Sequence, residues 1–228
     1  MQKTPAVRHT PVRADGIEAR QRLIDAGLEL FSRQGFQQTS VREVALAAQV
    51  NLASISYYFG DKAGLYRAVF TESMSGPHCS EPRFSEPGLS LRQRLQLFYA
   101  DFLEPLKHGE YTRRIIKLHY REMVEPTGIW QETIDSEIRP SHESMLRLLV
   151  QELGIRRIDL DVQRLALSIV GMAVHFFACQ PVVDSIAPQV VASNKSIDTL
   201  AIRLAMYAEA MIGSEKNRRA QLQEPDHG

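Results

Sequence analysis

Apolar residues recur at helical spacing through most of the chain, and their stripes predict an all-α protein. The first stripe, from about Ile17 to Arg33, places Leu23, Ile24, Leu28, Leu30 and Phe31 on one face, with Gly27 leaving room for a close neighbour. Gly35 stands where a left-handed helix stop belongs, and Phe36 behind it is placed to fold back on Phe31. A short stripe of Val44, Ala45 and Ala48 comes next. Ser40 precedes it and Glu43 lies three residues on, the spacing of a capping box. Asn51 then suits an N-cap, accepting the amide of Ala53 or Ser54. The helix it opens is expected to bury Ile55 and Tyr58 and to end near Gly60, while Val50 plugs the angle between the two short helices. Gln49 occupies the turn position that needs a left-handed backbone, at a cost of roughly 1–2 kcal/mol for a residue other than glycine. Asp61 caps a fourth helix, Lys62 to about Met74, with Leu65, Val69 and Phe70 inward.

Residues 76–90 hold three prolines and two glycines and read as a loop and a domain boundary. Beyond them helices are expected over Leu91–Lys107, with Leu95, Phe98, Phe102 and Leu106 in phase, and over Tyr111–Val124. The stretch Gly128–Leu153 contains Pro140, which should kink or split it, and Gly154 ends it. Val162–Gln180 follows, stopped by Pro181, then Ile197–Ile212. The domains expected are a disordered basic arm (1–16, with Lys3, Arg8 and Arg13), a helical head (17–75), a helical body (90–213) and a polar, frayed tail (214–228). Val170, Met172, Val174, Leu200 and Met206 lie off the main apolar face of the last two helices. Such a surplus implies a homodimer joined through those helices as a four-helix interface.

The two short helices flanking Gln49-Val50 have the spacing of a helix-turn-helix, the second helix of which enters a DNA major groove. Its exposed residues should be Leu52, Ala53, Ser54, Ser56 and Tyr57. These are small or hydroxyl-bearing groups that admit close approach to base edges, plus one outward phenol suited to a phosphate. Tyr58 leans inward. Beyond Asn51 that helix has no Arg, Asn or Gln, so Arg42 is the best candidate for a base-edge or phosphate contact. Charge adds little: the chain is formally neutral, with residues 1–74 at +2 and the rest at −2. The two cysteines, Cys79 and Cys179, have no metal spacing and read as thiols of a reducing cytosol. No apolar run reaches the roughly 18 residues of a membrane span, and no secretory segment opens the chain, so a cytoplasmic protein without a membrane partner is expected. No nucleophile–base spacing, phosphate loop or metal motif points to an enzyme, and no cofactor or metal is called for.

From Ile17 to Phe70, about a quarter of the chain, the sequence resembles the DNA-binding domain of the TetR family of bacterial regulators. The segments that carry the resemblance are ARQRLIDAGLELFSRQGF, TSVREVALAAQVN, SISYYFGDK and the Leu65 that follows. It implies that Lys62 touches the DNA backbone and that Thr39, Ser40, Arg42, Ser54, Ser56, Tyr57 and Tyr58 face DNA. The segment LHYREMVEPTG, Leu118 to Gly128, resembles the ligand domain of the CecR-like branch, whose members respond to small, often drug-like compounds.

In the body, aromatic and polar side chains recur in a way that suits a small-molecule pocket. The candidates are Phe98, Phe102, His119, Tyr120 and Met123, with Trp130, His142, Met145, Phe176 and Phe177. Each of them singly reads as plain core at least as readily, and His175 reads as a core histidine rather than a metal ligand. The leading expectation is a dimeric reader of a palindromic double-stranded operator, its heads about 34–36 Å apart, and a repressor released by a small-molecule effector. The alternative is a DNA-binding protein with no such effector, acting structurally or through a protein partner.

Overall fold

The computed structural model describes residues 12–73 and 82–223, and every regular element among them is helical. The α-helices are α1 (Val12–Gln38), α2 (Val41–Ala47), α3 (Ala53–Phe59), α4 (Lys62–Ser73), α5 (Leu91–Leu103), α6 (Glu110–Val124), α7 (Trp130–Thr133), α8 (Arg139–Leu153), α9 (Leu160–Ala178), α10 (Gln180–Ile186) and α11 (Asn194–Gln223). Two compact units result: residues 1–76 with 117–127, and residues 77–116 with 128–228. Of the basic arm expected over 1–16, residues 1–11 lie outside the described residues, as do Met74 and Cys79; residues 12–16 belong to α1.

The first unit is built on α1 and α4. Leu23, Ile24, Leu28 and Phe31 of α1 bury against Leu65, Val69 and Phe70, as the stripes predict, and Tyr66 joins them. Gly27 is needed where the helices approach, because a Cβ there would stand 2.8 Å from a Val69 methyl. Gly35, at φ 83° and ψ 172°, breaks α1 near its end, so the positive φ is as expected while ψ is extended rather than left-handed helical. Phe36 then lies 6.3 Å from Phe31, and both rings meet the edge of Tyr66, at 5.1 and 4.9 Å.

Residues 117–127, from the second half of α6 onward, belong to this unit. Leu118 and His119 are buried, and the His119 ring lies 4.1 Å from that of Phe70. Glu122 is fully buried, a costly place for a carboxylate unless it is well bonded. It accepts the Tyr66 hydroxyl at 2.8 Å, the Thr127 amide at 2.7 Å and the Thr127 hydroxyl at 2.9 Å. Burial, then the carboxylate beside it, pushes the Tyr66 phenol well above its ordinary value. Arg121 donates to the Arg33 carbonyl at 3.3 Å and pairs with Glu125.

In the second unit a capping box of Ser90 and Gln93 opens α5, which buries Leu95, Phe98, Tyr99 and Leu103. Pro105 tightens the end of the predicted helix into a 3-10 turn, Glu104–Lys107. The Tyr99 hydroxyl donates to the Ile169 carbonyl of α9 at 2.8 Å. Arg92 with Glu209 and Lys107 with Asp198, both at 2.7 Å, pin this segment to α11. The stretch around Pro140 stays helical but is interrupted: a π-turn spans Ile134–Ile138 between α7 and α8, and the proline sits in the first turn of α8. Gly154 ends α8 with a left-handed backbone, φ 64° and ψ 31°.

Three expectations are corrected here. Pro181 does more than stop α9, since it lies in the first turn of α10. His175 is exposed, not core. The residues after Ser214 are not frayed: α11 continues to Gln223, because Arg219 pairs with Asp159 and Arg218 with Asp161, each at 2.8 Å, and Glu215 bonds both arginines. Asp159 also caps α9, accepting the Val162 amide at 3.0 Å. Among the described residues, α9 is the one helix that by length and composition would pass as a membrane span, a test that core helices of soluble proteins also pass.

Candidate nucleic-acid interface

The geometry of the head begins with its caps. The Ser40 hydroxyl accepts the Glu43 amide at 3.2 Å, and the Glu43 carboxylate accepts the Ser40 amide at 2.8 Å. That backbone bond, then the hydroxyl, holds the Glu43 carboxyl below its ordinary range. Val44, Ala45 and Ala48 are buried, and the turn closes through the Val50 amide to the Ala45 carbonyl at 3.0 Å. Gln49 adopts φ 55°, the left-handed backbone its position predicts, and no other non-glycine among the described residues has positive φ. Asn51 accepts the Ala53 amide at 2.9 Å and so opens α3. Ile55 is the buried residue of α3, and Gly60 at φ 79° ends it.

Two arginines of α1, neither singled out from the sequence, brace this unit. Arg20 forms a two-pronged pair with Glu72 of α4 and lies 5.2 Å above the Phe59 ring. Arg22 donates from Nε to the Ala48 carbonyl at 3.2 Å, at the C-terminus of α2. Their sequence signal is weak, since a lone arginine on an amphipathic helix reads as solvated surface.

The predicted DNA-facing residues divide by exposure. Arg42, Leu52, Ala53, Ser56 and Tyr57 are exposed, Tyr57 at 81%, and Ser54 is half-buried. Ser40 is exposed, its side chain engaged in the cap. Tyr58 is half-buried rather than core, edge-on to Tyr57 at 4.9 Å. Lys62 is half-buried, donating to the Gln37 carbonyl at 3.3 Å and lying 4.5 Å over the Phe36 ring. Thr39 is 1% exposed, and its hydroxyl donates to the Gly35 carbonyl at 2.7 Å, which closes the chain reversal and leaves the side chain no free surface.

The pocket candidates fall into both units. His119, Tyr120 and Met123 lie in the first; Phe98, Phe102, Trp130, His142, Met145, Phe176 and Phe177 lie in the second. There Phe98, Phe102 and Phe177 form a chain of tilted and edge-on ring contacts, each 5.7 Å, and Met145 is fully buried. His142 bonds Gln163 at 2.9 Å, while Phe176 meets the His175 ring. Two open grooves of the second unit, of about 490 and 450 Å³, are lined by other residues. The first runs along Arg147, Val150, Gln151 and Gly154 to Ile158; the second takes in Leu89, Gln93, Leu97, Asp198 and Ile202. Among the described residues no cluster of His, Cys, Asp or Glu is arranged to hold a metal.

Residues 23–69 match the family model described as bacterial regulatory proteins, tetR family. Residues 91–213, more than half of the chain, match the C-terminal domain of the HTH-type transcriptional dual regulator CecR. The chain belongs to the TetR family of bacterial transcriptional regulators. CecR of Shigella flexneri is 29% identical to this TetR-family chain over 150 residues, 61% of the chain and 66% of CecR. The chain spans less than two thirds of these curated relatives, 65% in the case of the probable regulator YttP of Bacillus subtilis (strain 168). Among solved structures, NalD of Pseudomonas aeruginosa, described as the secondary repressor of the MexAB-OprM multidrug efflux pump, superposes with a TM-score of 0.61 at 20% identity, covering 86% of this chain and 98% of NalD. SmeT in complex with triclosan does so at 0.57 and 19%, covering 83% and 90%. At those identities the likeness is one of fold, and fold and homologues alike are those of regulators rather than enzymes.

Proposed function

We propose that the protein is a cytoplasmic homodimer that reads a palindromic double-stranded operator and represses transcription until a small molecule lowers its affinity. The observation that carries the reading is the surface of α3. Leu52, Ala53, Ser56 and Tyr57 are exposed on a helix of seven residues whose far side is anchored by Ile55. Small side chains let the helix settle against base edges, Tyr57 reaches a phosphate, and Arg42 at the start of α2 supplies charge. Ser40, Ser54, Tyr58 and Lys62 border this surface, and Thr39 supports it from within. The description of NalD as a repressor and the SmeT–triclosan complex support the sign of regulation and the class of effector. The effector acts by linkage: a ligand that binds more tightly when the heads are mis-spaced weakens operator binding by its differential affinity.

Selecting bound sequences from a random DNA pool tests the reading. A palindrome with half-sites about one helical turn apart is expected, and the absence of any enriched sequence would sink it. Arg42→Ala should weaken binding to the selected site and reduce the salt slope by about one if the guanidinium meets a phosphate. A second reading, without an effector, is favoured by the ring contacts of Phe98, Phe102 and Phe177, of which Phe98 and Phe177 are buried and Phe102 half-buried. Titrating triclosan and other apolar drug-like compounds against a labelled operator separates the two.

A further inference from the structure

The strained backbone of the helix-turn-helix has a partner that the interface does not use. Gln49 holds φ 55°, a region that L-residues other than Asn and Asp seldom occupy. The peptide that fixes this angle is the one joining Ala48 to Gln49, and its carbonyl is Ala48 O. Ala48 itself is at φ −74° and ψ −10°. Turning that peptide over would return Gln49 to negative φ and make Ala48 extended, with only a small displacement of the flanking chain. It would also point the Ala48 carbonyl the opposite way. In the structure that carbonyl accepts the Arg22 Nε–H at 3.2 Å, and the contact is partly buried.

We propose that Arg22 is a positioning residue that locks the Ala48–Gln49 peptide and thereby sets the angle at which α3 is presented. The guanidinium bonds one of the two groups that must swing away if the strain is to relax, the other being the Gln49 N–H, which donates to the Leu46 carbonyl at 3.1 Å. Its charge also lies at the C-terminal end of α2, where carbonyls lack helical partners and a cation is favoured. A glycine at residue 49 would make such a lock superfluous, because glycine takes positive φ freely. The arginine therefore compensates for the glutamine. The inference rests on the reading that α3 binds DNA, so one test uses DNA and the other does not.

The experiment is a double-mutant cycle in the full-length protein with Arg22→Ala, Gln49→Gly and both together. Operator affinity should fall roughly tenfold for Arg22→Ala alone, the factor that about one strained residue supplies. In the Gln49→Gly background the same change should cost no more than about twofold. The slope of affinity against salt should stay unchanged, whereas a direct phosphate contact would lower it by about one. Amide exchange gives the second readout: Val50, whose N–H closes the turn onto Ala45, should exchange about tenfold faster in Arg22→Ala and regain protection on adding Gln49→Gly. Equal losses in both backgrounds, or a reduced salt slope, would overturn the lock. A protein that binds no DNA yet shows the coupled exchange would retain the lock and refute the DNA reading instead.

Discussion

Single side chains decide how firmly the head is held. Glu122 is the clearest case, a buried carboxyl group that accepts three hydrogen bonds, one of them from the Tyr66 phenol. Tyr66→Phe keeps the ring contacts with Phe31 and Phe36 but removes that donor. It should cost roughly 1–3 kcal/mol, the penalty of leaving a buried acceptor short of a partner, read as a lower denaturation midpoint with an unchanged slope. Gly35→Ala acts through a different cause. The new methyl meets the Arg121 guanidinium, and φ 83° is itself strained for alanine. A lowered Tm and loss of the Arg121 bond to the Arg33 carbonyl are expected, the latter visible in a structure of the variant.

Among the elements, α11 departs furthest from its sequence pattern. Its apolar stripe ends at Ile212, yet the helix continues to Gln223, because its last turns reach back to α9 through charge rather than through apolar contact. Arg219 holds the Asp159 carboxyl below its usual range, Arg164 and Arg218 do so for Asp161, and Arg218 and Arg219 for Glu215. Depressed values mean that the folded chain binds fewer protons than the unfolded one. The stabilisation is therefore complete above the ordinary carboxylate values near 4 and fades as pH falls below them. The Tm difference between wild type and Arg219→Ala should be largest at neutral pH, shrink below about pH 4, and shrink also in molar salt, since the Asp159 carboxylate it pairs with is solvent-exposed. A difference that grew in acid would contradict the assignment.

At the scale of the whole molecule, the second unit leaves apolar side chains uncovered. Leu167 on α9 is 63% exposed and Tyr207 on α11 54%, with Leu160, Ile202 and Met206 also exposed, and with Val170, Met172 and Val174 half-buried. Leu200, expected among them, is 8% exposed and belongs to the core of its own unit. A soluble chain seldom leaves such a set facing water. On the proposed homodimer, Leu167→Glu should therefore produce a monomer by sedimentation at micromolar concentration. Operator affinity should fall steeply with it, because each half-site then binds alone. A variant that remained dimeric would place the interface elsewhere.

What the sequence determined by itself is whatever closes within a few residues. The Ser40–Glu43 box, the Asn51 cap, the left-handed Gln49, the break at Gly35 and the interruption before Pro140 were legible because each depends on the spacing of neighbours along one stretch of backbone. The apolar stripes of α1, α4 and α5 were legible for the same reason, as a helix repeats its faces at a fixed period. The tertiary structure alone decided which distant groups meet. Arg22 finds Ala48 across 26 residues, Tyr66 finds Glu122 across 56, and Arg219 finds Asp159 across 60. No periodicity records such pairings, since they follow from how the packed helices place their polar residues. They hold the head's turn, bury the carboxyl group of α6 and extend α11 past Ser214, from which point the local pattern predicted a frayed tail.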